Sequence, residues 1–76
     1  MAFVLKYCGN ADESWYLTKK ECIADFARVA TTIDVRGKCL ATIHRGSIKN
    51  GKFVFDENPL FALSIGVRGA VCCVRV

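Results

Sequence analysis

Between Ala2 and Cys8, Phe3, Leu5 and Tyr7 fall on one side of an extended chain and Val4 and Lys6 on the other. Two-residue alternation of this kind predicts a strand. The polar stretch GNADES (9–14) predicts a turn, since Gly and Asn tolerate unusual backbone angles. SWYLT (14–18) then resumes an extended aromatic pattern, so the first eighteen residues predict a hairpin.

At Thr18 the period changes. Thr18 and Glu21 have the spacing of a capping box, in which side chains satisfy amides that a helix start leaves unpaired. Cys22, Ile23, Phe26, Ala27 and Ala30 then recur at helical spacing, opposite Glu21, Asp25 and Arg28. This predicts an amphipathic helix over about 19–31, with Asp25 and Arg28 placed to pair.

Residues 33–46, IDVRGKCLATIHRG, admit two readings. Asp34 can cap a second short helix over 34–45 that Gly46 ends. Alternatively Arg36-Gly37 turns the chain and Lys38 to Arg45 is a strand. A glycine inside a helix costs about 1 kcal/mol relative to alanine. Asn50-Gly51 is a strong hairpin signal that asks for a strand on each side. Both points favour the strand. Phe53 and Phe55 supply one face of the strand after the turn, and Asp56–Pro59 is a redirecting loop. Phe61, Leu63, Ile65 and Val67 alternate with Ala62, Ser64, Gly66 and Arg68. Arg68-Gly69 can turn into a last strand, with Ala70, Cys72, Val74 and Val76 on one face and Val71, Cys73 and Arg75 on the other.

The sum is an α+β single domain over 1–76, in which an antiparallel sheet of about five strands packs on one helix. One helix covers one sheet face. Terminal strands with few charges would form edges open to pairing with another chain, including a second copy.

At 76 residues with 53% apolar composition and 24% charge, the chain is too hydrophobic to be disordered. It also carries more apolar side chains than one thin core needs, which points to a partner surface. The net charge of +4 is uneven, with acids slightly ahead up to residue 27 and bases well ahead beyond it. A basic half suggests an acidic partner, whether nucleic acid or protein. No basic leader opens the sequence. Its most apolar segment, 60–76, has Arg68 at its centre, where an arginine costs about 2.5–3.5 kcal/mol on insertion scales. The expectation is no membrane span and a cytoplasmic location.

Five cysteines (Cys8, Cys22, Cys39, Cys72 and Cys73) contain no CxxC pair. Structural zinc sites ordinarily show paired ligands two to four residues apart. The expectation is therefore no metal, no cofactor, and reduced thiols that fill space as small hydrophobes. His44 is the only histidine, and no GxSxG surrounds any serine. The adjacent carboxylates Asp12-Glu13 and Asp56-Glu57 lie in expected turns. These observations argue against an enzyme.

Two binding readings remain. Arg36, Lys38, Arg45, Lys49 and Lys52 could gather around the second hairpin, with Trp15 and Tyr16 stacking on bases, in a nucleic-acid binder. The favoured reading is a small interaction protein that occupies a surface of a larger protein or complex. In size and style this suits small phage or mobile-element inhibitors of host machinery, such as anti-CRISPR proteins or RNA polymerase inhibitors. Trp15, Tyr16, Arg36 and Arg45 are its expected anchors, since aromatic and arginine side chains dominate such contacts.

Overall fold

The computed structural model describes residues 2–9 and 13–76, so the turn expected over 9–14 lies partly outside the described residues. In chain order the elements are β1 (Ala2–Tyr7), β2 (Glu13–Tyr16), α1 (Lys19–Ala30), β3 (Cys39–Lys49), β4 (Lys52–Phe55), β5 (Phe61–Ile65) and β6 (Val71–Arg75). All strand pairs are antiparallel, in the order β2-β1-β3-β5-β6 with β4 also on β3. This is the expected α+β fold, with six strands instead of five.

Three expectations need correction. Residues 34–45 hold no second helix: the Gly37 N–H donates to the Ile65 carbonyl at 2.9 Å, outside any helical ladder, and the chain enters β3 at Cys39. The strand over 61–67 stops at Ile65, and Val67 is 93% exposed in the turn that follows. Finally, only one terminal strand is an edge. β1 lies between β2 and β3, so of the two terminal strands only β6 is at an edge; β2 and the hairpin strand β4 each also pair on one side only.

The helix begins where the capping spacing placed it. Thr18 is extended (φ −134°, ψ 154°), and its Oγ1 accepts from the Glu21 N–H at 3.2 Å. The same hydroxyl donates to Glu21 Oε1 at 3.1 Å, so the carboxylate returns to the side chain of Thr18. At the other end, the Thr31 and Thr32 hydroxyls donate to the carbonyls of Arg28 (2.9 Å) and Val29 (2.8 Å). The first bond engages a carbonyl near the helix end; the Val29 carbonyl also accepts the Thr32 N–H at 3.0 Å, so together they satisfy acceptors of the last turn. Cys22, Phe26 and Ala30 face the sheet and close a core with Leu5, Ala41, Ile43, Leu63 and Ile65. Asp25 and Arg28 form the expected ion pair on the outer side.

The eleven-residue β3 organises the sheet. One edge pairs with β1 from Ala41 to Gly46. The other edge pairs with β5 near its start and with β4 from Gly46 to Lys49. β4 and β5 therefore follow one another along the same edge, and residues 56–60 loop out between them. Bonds from Asp56 N–H to the Arg45 carbonyl (2.9 Å) and from Leu60 N–H to the Ile43 carbonyl (2.7 Å) close that loop. Past Gly46, β3 has left β1 and pairs only with β4. The hairpin carries the molecule to a length of 43 Å against 21 and 19 Å across.

Candidate interaction face

Pairing register fixes which side chains share the face turned away from the helix. Val4 stands opposite both Trp15 and His44, Lys6 opposite Glu13 and Thr42, Gly46 opposite Phe55, and Ile48 opposite Phe53. Directly opposed residues in a ladder point the same way, so these form one surface. No second layer lies over it among the described residues.

Its centre is aromatic. The Trp15 ring lies 5.2 Å from Phe53 and 6.4 Å from Phe55, tilted and edge-on respectively. His44 meets Phe55 edge-on at 5.5 Å, and the Lys6 ammonium stands 5.3 Å from the centre of the same ring. These are favourable geometries for ring pairs and for a cation over a ring. The cluster exists because position 46 is glycine. A Cβ there would lie 2.9 Å from Trp15 Cη2 and 3.0 Å from Val4 Cγ2, so the indole rests on bare backbone. Apolar side chains around it are open: Leu17 is 76%, Phe53 69% and Ile48 66% exposed. With Trp15 and Ala2 they border a shallow depression of about 300 Å³.

The expected anchors divide. Trp15 belongs to this face. Tyr16 sits on the other side of the sheet, half-buried against the core. There Asp25 gathers Arg28 and the hydroxyls of Tyr16 and Tyr7, and these donors, Arg28 first, hold its carboxyl below the usual range. Burial, then the Asp25 charge, pushes Tyr7 up to about 12. Arg45, Lys49 and Lys52 share the helix-side face of β3 and β4, with Lys49 directly opposite Lys52. Arg36 and Lys38 lie at the opposite end of β3, and the Arg36 guanidinium stands beside Gly69. At about 3.3 Å per residue along the strand, Arg45 stands roughly 23 Å and Lys49 roughly 36 Å from Lys38. The five cations do not make one patch.

His44 is buried and structural. Its Nδ1 donates to the Asp56 carbonyl at 2.7 Å, and its Nε2 meets Thr42 Oγ1 at 2.8 Å. The Nδ1 bond holds the start of the 56–60 loop to the sheet, and the Nε2 bond to Thr42 stays within β3 and fixes the ring. The thiols depart from expectation. Cys22 alone is buried, and burial pushes it up to about 11. Cys8, Cys39, Cys72 and Cys73 are exposed. Cys72 and Cys73 are open because β6 is an edge strand with little beyond it. Among the described residues no group of three or more His, Cys, Asp or Glu side chains is placed to hold a metal ion. Likewise no helix is long and apolar enough to cross a membrane.

Phe53, Phe55, Ile48 and Leu17 complete the face and were not among the expected anchors. Alternation about Asn50-Gly51 already aligned Ile48, Phe53 and Phe55. What the alternation omitted was that nothing folds back to cover them. No protein-family model matches this chain, nor does any curated protein or solved structure.

Proposed function

We propose that this chain is a non-enzymatic interaction protein that binds a larger protein assembly and regulates or inhibits it. The observation that carries this reading is the uncovered aromatic face around Trp15, Phe53 and Phe55, bordered by exposed Ile48 and Leu17. Exposed contiguous apolar surface on a small protein marks interaction sites, and aromatic side chains dominate their energetics. Arg45, Lys49 and Lys52 lie on the reverse of the same hairpin, so the fitting partner is a protein cleft with an apolar floor and acidic walls. A cytoplasmic setting suits five cysteines that are all unbonded.

The test is capture from the native host by the wild-type chain and by a Phe53→Ser/Ile48→Ser variant. Both side chains are open, so the variant keeps its fold. Loss of a wild-type protein partner supports the reading; equal capture, or recovery of nucleic acid alone, counts against it. The edge strand β6, with one charge in Val71–Arg75, offers a second copy a pairing surface. If it does so, light scattering gives a dimer mass for the wild type and a monomer mass for Val74→Lys.

A nucleic-acid reading draws on the shared face of Arg45, Lys49 and Lys52. Three phosphate contacts predict a log–log salt slope of about −3, and a flat response removes it.

A further inference from the structure

Cys8 and Cys39 are 31 residues apart in sequence; Cys8 directly follows β1 and Cys39 opens the neighbouring β3, and strict alternation would send them to opposite faces. Lys6 precedes Cys8 by two on the open face; Ala41 follows Cys39 by two on the helix face. A bulge between Cys39 and Ala41 changes this. On β5 the partner advances one residue, Ser64 to Leu63, while β3 advances two. The surplus residue, Leu40, packs against the core. Cys39 is thereby opposite Ser64, whose other neighbour is Cys72, on the open face. Re-aiming a side chain is a recurrent use of bulges. The ladder to β1 persists beyond its last paired residue, for the Cys8 N–H donates to the Leu40 carbonyl at 2.9 Å. The two Sγ atoms then lie 4.0 Å apart, both at the surface.

We propose that Cys8 and Cys39 form a reversible oxidation site, converted to an intramolecular disulfide by hydroperoxides. One sulfur attacks the peroxide as thiolate, the O–O bond breaks, an alcohol (or water) leaves, and the sulfur becomes a sulfenic acid. The second thiolate attacks that sulfur, the S–O bond breaks, and hydroxide leaves as water. Two thiols and one hydroperoxide give one disulfide, one alcohol and one water, with two electrons passing from sulfur to oxygen. A dithiol reductant reverses it by exchange.

Burial, then the nearness of Cys39, pushes the Cys8 thiol up, which casts Cys8 as the resolving sulfur. The Sγ atoms, 4.0 Å apart, are within about 2 Å of the length of a disulfide bond, and disulfides in reducing compartments are typically transient sensors of this kind. The bond would tie the end of β1 to the start of β3, enclosing β2 and α1 in a covalent loop. The site is independent of the partner proposed above.

The experiment exposes the full-length reduced chain to hydrogen peroxide, blocks remaining thiols with N-ethylmaleimide, and maps tryptic peptides by mass spectrometry. The expected product is a monomer lighter by two hydrogen atoms, with peptide 7–19 joined to peptide 39–45. Its Tm should rise by about 10 °C or more, reversed by dithiothreitol. Cys8→Ser and Cys39→Ser should each fold, since both positions are exposed, and each should lose the cross-link and the shift. Oxidation that falls first on Cys72 or Cys73, cross-linked dimers, or sulfinic acid at Cys39 with Cys8 still alkylatable would overturn the assignment.

Discussion

Gly46 gives the sharpest handle on the open face. A methyl group placed there would stand 2.9 Å from Trp15 Cη2, 3.0 Å from Val4 Cγ2 and closer still to Trp15 Cζ3. Carbon atoms in ordinary contact keep about 3.5–4.0 Å, so in Gly46→Ala the indole must slide outward. Phe53 stands at 5.2 Å and restricts that movement. Overpacking of this sort costs about 1–3 kcal/mol. The lost unfolded-state freedom of glycine returns about 0.4–1 kcal/mol, leaving a net destabilisation of about 1–2 kcal/mol. For a domain of this size each kcal/mol moves Tm by about 4–8 °C. Urea unfolding followed by circular dichroism measures the loss, and the emission of Trp15, the chain's single tryptophan, reports whether the ring has moved into water. The decisive comparison repeats Gly46→Ala in a Trp15→Val background. There the two closest contacts are gone and Val4 Cγ2 remains, so the cost should fall well below its value beside the indole, giving a coupling of about 1 kcal/mol between the two sites. Equal destabilisation in both backgrounds, or an unchanged emission maximum in the single mutant, would refute the claim that the indole rests on Gly46.

Other consequences are as direct. Asp25 is held below the usual carboxylate range chiefly by Arg28, so its contribution is present above about pH 4, the unfolded value, and disappears as pH falls through the folded value. Asp25→Asn should flatten the acid limb of an unfolding curve, and an unchanged limb would sink the assignment. Tyr7 is pushed up from 10.0 to about 12. Its contribution is complete below pH 10 and lost between about pH 10 and 12, a loss that Tyr7→Phe should remove from an alkaline unfolding profile. Asn50 (φ 52°) and Gly51 (φ 75°) form the turn of the β3–β4 hairpin. A β-branched residue strains such a conformation by about 1–3 kcal/mol. Gly51→Val should therefore speed amide exchange across residues 46–55 before it affects the core, and uniform exchange would contradict that.

Local chemistry made some of this legible in the sequence and long-range pairing hid the rest. Thr18 and Glu21 marked the helix start because capping is settled within four residues. Asn50-Gly51 marked a hairpin because the backbone angles belong to those two positions alone. No local signal says that one edge of β3 carries both β4 and β5. That arrangement makes β1 internal, leaves the hairpin projecting, and buries His44 beneath the 56–60 loop. Nor does alternation survive a bulge. Counting by twos puts Cys39 with Ala41, and the surplus Leu40 reverses the thiol's direction. The basic residues were close in sequence, but an extended strand sets Lys38 and Lys49 at its two ends. Adjacent strand positions oppose each other, so Trp15 and Tyr16 cannot both face outward; alternation says that one turns inward, and only the register and Asp25 show that it is Tyr16.

The length of β3 has a consequence for how binding and folding are related. Its first half, paired with β1 and β5, carries Ala41 and Ile43 into the core beneath the helix. Its second half, paired only with β4, holds Ile48 opposite Phe53 beyond the helix-backed region. Those two side chains are about two-thirds exposed, so truncating them removes little burial and should cost well under about 1 kcal/mol of stability. Trp15 spans both regions, reaching from β2 over Val4 and Gly46 to Phe53. Ile48→Ala and Phe53→Ala should therefore separate partner binding from stability, while Trp15→Ala should lower both together. If Trp15→Ala lost binding while leaving Tm untouched, the aromatic cluster would be an addition to the surface and not a continuation of the sheet's packing.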